Sequence, residues 1–357
     1  MKKRILLVHT GGTIGSAFDK EKQCRVLAPR LADMTLLKRF MADTNSTQEE
    51  IASLFDNSGL DEKNRTFSEN MTYSKLNMIL RNISTKNIDD YSGIIILHGT
   101  DTLAYTSSLF SFVFSDTDIP IMMVSGNRPP DDETSNANIN FQTAVELILQ
   151  GIAPNVYVPY RNADGNMWLH IGSAIRQSPN YSEDFECVSE KKSFCLNDAD
   201  LSEVFSKCLE LSDNRKKLPF ELNDSELIDN GILMILPYTG MDYRHYNLDG
   251  VKAIIHGTYH SGTVCVERNS EADEYNANSL LWLADECDRK NIPIFVAPSK
   301  LNAEQYSSVL DLVKNSSAEL LDMTTESAYA KLLLAISCGY ENLTEYMHME
   351  ISNEIIG

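Results

Sequence analysis

The sequence is short of positive charge. Its 31 lysines and arginines stand against 51 aspartates and glutamates, giving a formal net charge of −20. Binding to a phosphate backbone needs clustered Lys and Arg, so nucleic acid is not an expected partner. An anionic membrane surface is disfavoured for the same reason. Cys-x-x-Cys is also missing. The seven cysteines (Cys24, Cys187, Cys195, Cys208, Cys265, Cys287 and Cys338) are odd in number and scattered. They suggest neither a disulfide framework nor a zinc site, and they fit a reducing cytosol. No stretch approaches the ~18 apolar residues of a membrane-spanning helix. The apolar run after Met1-Lys2-Lys3-Arg4 stops at Thr10, short of the ~7–15 residues of a signal-peptide core. A fixed-period repeat and a low-complexity tract are both absent. The expectation is a cytoplasmic protein with no membrane partner.

What is present is a series of short buried-strand patterns. Arg4 to His9, Gly93 to Leu97, Ile121 to Val124 and Val156 to Pro159 are nearly continuous apolar runs, as central parallel strands should be. Between them lie helical patterns: Leu31 to Ala42 with Leu31, Met34, Leu37, Phe40 and Met41 on one side; a helix capped by Thr72 and carrying Leu76, Ile79 and Leu80; Leu103 to Phe114; and Asn138 to Gln150. Ala17 to Arg25 shows no apolar periodicity and reads as a loop. Strands alternating with helices imply an α/β domain. From about Ser189 to Asp229 charged residues dominate, with one short helix near Leu201 to Leu211. A second α/β set follows, with strands at Ile232 to Leu236, Ala253 to Ile255 and Ile294 to Ala297. Its helices are expected near Asn278 to Lys290, Asn302 to Lys314 and Glu326 to Ser337, and the tail from Glu341 to Ile356 reads as one more. The expected division is 1–190 as an N-terminal domain, 191–229 as a connection and 230–357 as a C-terminal domain.

Two strand ends carry the chemistry. The first strand runs into Thr10-Gly11-Gly12-Thr13-Ile14-Gly15. Alone, this reads equally as a plain glycine-rich exit from the sheet, and it does not match G-x-G-x-x-G. The Gly93 strand runs into His98-Gly99-Thr100-Asp101-Thr102. In an open parallel sheet ligands collect at the carboxyl ends of strands. Two such loops on neighbouring strands would bring together two hydroxyls and a carboxylate. A threonine hydroxyl is a poor nucleophile at neutral pH and needs a proton acceptor nearby. His9 and His98 end apolar strands and read as hydrogen-bonded scaffold.

Val8 to Gly15 together with Leu97 to Thr106 resembles the bacterial-type L-asparaginase family, the asparaginase/glutaminase fold. Phe67-Ser68-Glu69-Asn70-Met71-Thr72 resembles the family's substrate-carboxylate loop, and Ser125-Gly126-Asn127-Arg128-Pro129 its third-strand turn. Leu236 to Gly240 and Gly257 to Thr263 resemble its second domain. The direct start at the first strand is more like the cytoplasmic type I members. The resemblance implies a two-domain α/β fold, with a larger N-terminal parallel-sheet domain and a smaller C-terminal Rossmann-like domain. It implies hydrolysis of L-asparagine to L-aspartate and ammonia through an acyl-enzyme, with no metal or organic cofactor. Thr13 would be the nucleophile, and Thr100 the second essential threonine. Asp101 would bind the substrate's α-amino group and join a proton network with Thr100. Ser68, with Glu69 beside it, would hold the substrate. A homodimer or homotetramer is also implied.

Three positions depart from the family pattern. Relatives carry a tyrosine in the loop after the first motif, whereas Ala17 to Arg30 has none; Cys24 or Arg25 falls nearest its place. Relatives carry a lysine nine residues before a phenylalanine, and counting back from Phe185 lands on Arg176. Arg176 is either the positional substitute, which could not act as a base, or a surface residue. The third-strand loop has Asn136-Ala137 where relatives have Asp-Gly. The alternatives to an asparaginase are a glutaminase-asparaginase, an ammonia-producing amidotransferase subunit, and a non-catalytic asparagine-binding relative.

Overall fold

The computed structural model describes residues 3–59, 64–222, 226–227, 231–268, 275–301 and 304–357, and for 29–34 the backbone alone. The side chains of Leu31 and Met34, residue Asn302 at an expected helix start, and Asp229 and Asn230 at an expected boundary lie outside the described parts.

The chain forms two α/β units, 1–218 with 351–353, and 219–350 with 354–357. In the first unit the strands are β1 (Arg4–His9), β2 (Ser16–Asp19), β3 (Cys24–Leu27), β4 (Phe55–Asp56), β5 (Tyr91–Leu97), β6 (Ile121–Val124), β7 (Val156–Arg161), β8 (Met167–Ile171), β9 (Ile175–Arg176), β10 (Glu186–Cys187) and β11 (Ser193–Cys195). The helices are α1 (Pro29–Thr44), α2 (Gln48–Leu54), α3 (Tyr73–Ser84), α4 (Leu103–Val113), α5 (Ala137–Leu149) and α6 (Leu201–Asp213). Seven strands make the main sheet in the order β11-β8-β7-β6-β5-β1-β4. Strands β4, β1, β5, β6 and β7 run parallel, while β8 and β11 close one edge antiparallel. Of the stretch 191–229, therefore, β11 joins this sheet, and Val204 and Cys208 of α6 enter its core.

The apolar runs explain the layering. Ile5 and Leu7 of β1 point into the core formed with Phe40, Phe141, Val145 and Ile148. Leu6 and Val8 on the opposite face are equally buried. A strand covered on both faces has no use for polar alternation. The chain order places β4 on one side of β1 and β5 on the other. The strand order reverses there, and that reversal is the standard ligand position of an open α/β sheet.

Two stretches differ from expectation. Ala17 to Arg25 belongs to a hairpin, β2 paired antiparallel with β3 from Ser16↔Leu27 to Asp19↔Cys24. Its signal was turn chemistry and not periodicity. Asp19 Oδ1 accepts from the N–H groups of Glu21 (2.9 Å) and Lys22 (3.0 Å), and Gln23 turns the chain at φ 53°. The tail is helical only over Leu343–His348. Beyond it, backbone carbonyls are taken by partners elsewhere in the chain. Lys192 Nζ and Ser173 Oγ donate to the carbonyls of Asn353 and Ser352, the Lys216 N–H donates to that of Ile351, and Asn353 adopts φ 65°.

The second unit has a parallel four-stranded sheet of β12 (Ile232–Ile235), β13 (Ala253–His256), β14 (Ile294–Val296) and β15 (Glu319–Leu320). Its helices are α7 (Leu280–Asp288), α8 (Ser307–Asn315), α9 (Thr325–Ser337) and α10 (Leu343–His348). Within it Lys331 of α9 is fully buried, and its Nζ meets Glu354 Oε1 at 2.6 Å. The same ammonium donates to the carbonyls of Met347 and Met349. Removing one partner leaves the other charge buried and uncompensated. Lys331→Met is expected to cost about 3–5 kcal/mol in urea unfolding, and Lys331→Met with Glu354→Leu much less. Equal losses in the single and double variants would contradict this.

Candidate active site

The site begins with a close approach of backbones. The ladder pairs His9 with Leu97, so the loops after β1 and β5 leave the sheet side by side. Gly12 has φ 75°, and a Cβ there would lie 2.2 Å from Gly99 Cα. Gly11 has φ 112°, and its Cβ would lie 2.1 Å from the Thr66 carbonyl oxygen. Only glycine fits either place. Thr66 clasps the first turn through its N–H to Thr10 O (2.9 Å) and its carbonyl from the Gly12 N–H (2.8 Å). Thr10 Oγ1 donates to Leu97 O at 2.8 Å. Thr13 opens a short 3-10 turn, Thr13–Gly15, tied by Ser16 Oγ donating to Thr13 O.

Thr13, Thr100 and Asp101 line one polar cavity of about 560 Å³. Ser68 sits buried beside it, with its Oγ donating to Asp101 Oδ2 at 3.1 Å and lying 3.2 Å from the Asp101 N–H. One hydroxyl thus orients the carboxylate and its backbone. Thr102 Oγ1 donates to Ser68 O at 3.1 Å and fixes the loop in turn. Glu69 is exposed on the 3-10 turn Ser68–Asn70 and is not among the lining residues.

Arg176 does not line the cavity. Its guanidinium faces outward and pairs with Glu186 across the β9–β10 ribbon. The next residue, Gln177, does line it, and its Nε2 donates to Thr100 O at 3.3 Å. Alternate residues of an extended chain face opposite ways, so a shift of one position decides which side chain enters. Arg25 of β3 lines the cavity near the place of the missing tyrosine. Asn127, Tyr160 and Glu183 also line it, and sequence reading did not single out any of the three for this role. Burial pushes the Tyr160 phenol up to about 12, which keeps it neutral.

His98 is fully buried behind the site, and burial pulls its imidazole down to about 4. Nδ1 lies 2.8 Å from Gly99 O. A carbonyl only accepts, so Nδ1 carries the proton, and His98 braces the glycine turn as a neutral ring. No group of His, Cys, Asp and Glu among the described residues is arranged to hold a metal ion. No helix among them is long and apolar enough to cross a membrane.

Residues 4–204 match the family model for asparaginase, N-terminal. The chain belongs to the asparaginase family. It is 26% identical over 363 residues to the D subunit of glutamyl-tRNA(Gln) amidotransferase from Methanococcus maripaludis strain C5, covering 99% of this chain and 81% of that protein. Its fold is that of L-asparaginase I from Vibrio cholerae, with TM-score 0.67, 23% identity and 99% of each chain covered. The L-asparaginase of Thermococcus kodakarensis superposes with TM-score 0.63 at 18% identity, covering 99% of each chain. The two glycine-threonine loops at the carboxyl ends of β1 and β5 both lie within the residues matched by the asparaginase family model. The rest of the cavity wall carries further polar side chains, Arg25, Asn127, Gln177 and Glu183 among them.

Proposed function

We propose that this chain hydrolyses the side-chain amide of L-asparagine to L-aspartate and ammonia. The observation that carries this reading is the meeting of Thr13 with Thr100 and Asp101 in one cavity at the strand-order reversal. Thr13 Oγ attacks the amide carbon. Its proton passes through the Thr100–Asp101 pair to the departing nitrogen, and ammonia leaves an ester on Thr13. Water then attacks the ester carbon, its proton returns to Thr13 Oγ, and aspartate departs. Asp101, oriented by Ser68, takes the substrate's α-ammonium. No metal or organic cofactor enters this scheme. A cytoplasmic location belongs to the same reading and suits the seven free cysteines.

A second reading, an amidotransferase subunit releasing ammonia for a partner enzyme, is favoured by the name of the Methanococcus maripaludis relative. The net charge of −20 weighs against direct contact with tRNA. Ammonia release from asparagine and from glutamine separates the readings. Release from asparagine is expected to be well above that from glutamine. Release from glutamine alone would favour the amidotransferase reading. No ammonia from either, with asparagine still raising the melting temperature, would make this a binding protein.

We also propose a homodimer or homotetramer, on family likeness. Sedimentation at working concentration is expected to show one of these. A fully active monomer would refute it.

A further inference from the structure

Asn127, in the turn after β6, has all its polar groups committed. Its N–H donates to Asn136 Oδ1 at 2.8 Å, and its own Oδ1 accepts from the Asn136 N–H at 3.1 Å. Asn136 is anchored in turn by Nδ2 donating to Arg161 O at 2.8 Å. The Asn127 carbonyl accepts from the Arg25 guanidinium at 3.4 Å. Its Nδ2 donates to Glu183 Oε2 at 2.8 Å. Three loops of the cavity wall therefore meet at one asparagine: the β2–β3 hairpin, the turn after β6 and the segment leading to Phe185. The side-chain oxygens of Asn127 and Asn136 each accept from the other residue's backbone N–H, and Asn127 carries the bond to the Glu183 carboxylate.

A carboxylate held through one oxygen keeps acceptor capacity on both oxygens and has its orientation set. Glu183 lines the same cavity as Thr13, Thr100 and Asp101. We propose that Glu183 is a second substrate-contacting carboxylate, positioned by Asn127, which selects the amide substrate over the corresponding acid. The inference rests on the amidohydrolase reading. Amide hydrolysis replaces a neutral group bearing two N–H donors with an anion. Glu183 is exposed, so solvent screens its charge, but a carboxylate oriented by Asn127 at the cavity wall accepts from the former and repels the latter on contact. It therefore favours asparagine on entry and hastens aspartate on exit.

The test is binding without turnover. Thr13→Ala protein is titrated with L-asparagine and L-aspartate by calorimetry, alone and with Glu183→Gln or Asn127→Ala added. Glutamine can still accept the Asn127 hydrogen bond, so Glu183→Gln removes the charge and leaves the loop held. The ratio of Kd for aspartate to Kd for asparagine is expected to fall at least tenfold in Glu183→Gln, with melting temperature unchanged. Asn127→Ala should shift it in the same direction by less. A ratio unchanged by Glu183→Gln overturns the inference while the amidohydrolase reading stands. A Thr13→Ala parent that binds neither amino acid, together with wild type that releases no ammonia, overturns that reading and the inference with it.

Discussion

Thr13→Ala is expected to lower kcat/KM for asparagine by roughly 10⁴-fold, about 5.5 kcal/mol of transition-state stabilisation. Without the hydroxyl no acyl-enzyme forms, and only binding and polarisation of the amide remain. Thr100→Ala should fall in the same range, because the proposed mechanism passes the proton through Thr100 to the departing nitrogen. The double variant should be little worse than either single one, since groups acting as one unit are far from additive. The measurement is ammonia release under saturating and limiting asparagine. A Thr13→Ala enzyme with activity within tenfold of wild type would remove Thr13 from the mechanism. The fold should survive both substitutions, because neither threonine is fully buried.

Acid should destabilise the protein before most of its carboxylates titrate. His98, His170 and His256 are buried, and burial pulls their imidazoles down to about 4, about 3 and about 4. Each is held as a neutral ring: His98 at Gly99 O, His170 Nδ1 at Ser193 Oγ (2.9 Å), and His256 Nε2 at the Tyr243 hydroxyl (2.8 Å). Above pH 6.5 both folded and unfolded forms are neutral, so no penalty applies. Below it the unfolded chain takes up protons that the folded chain refuses. The stability associated with each ring is therefore complete above pH 6.5 and is lost as pH falls towards the folded value. At pH 4.5 the loss is about 2.5 kcal/mol per histidine. The two in the first unit together cost about 5 kcal/mol, comparable with the whole stability of many domains. Urea unfolding at pH 7.5, 6 and 4.5 tests this. A midpoint unchanged over that interval would refute it, and His170→Gln should flatten part of the slope.

The readable and unreadable parts of the sequence differ for physical reasons. Continuous apolar runs such as Ile94 to Leu97 and Ile121 to Val124 suit strands covered on both faces, and both are buried throughout. Thr72 stands at the N-cap of α3 as its position suggested, although its side chain makes no capping bond. The β2–β3 hairpin was hidden because its register is held by Asp19 and Gln23 and not by alternation. Strands β8 and β11 were hidden because five and three residues are too few for a period to emerge. Around the site, glycine next to threonine at a strand end is ambiguous alone and becomes a signal through its repetition at a second strand end. Gln177 and Glu183 have none, and Asn127 is marked only through the likeness of Ser125 to Pro129 to the family's third-strand turn. Their part depends on which way an extended backbone turns and on a hydrogen bond between segments far apart in sequence. Arg176 illustrates the limit: spacing pointed to it, while the ribbon turns it towards Glu186 and turns Gln177 inward.

The fit of Gly11 against Thr66 and of Gly12 against Gly99 makes the placing of Thr13, the proposed nucleophile, a product of completed folding. Thr13, Thr66 and Thr100 come from three distant segments, and the loops between them must close before the backbones can meet at those glycines. A partly folded chain carries all the reactive hydroxyls, but they are apart and unaligned, so it should hydrolyse nothing. On the proposed mechanism, completion of the backbone would be the activating step, and an immature chain would stay silent until it is reached.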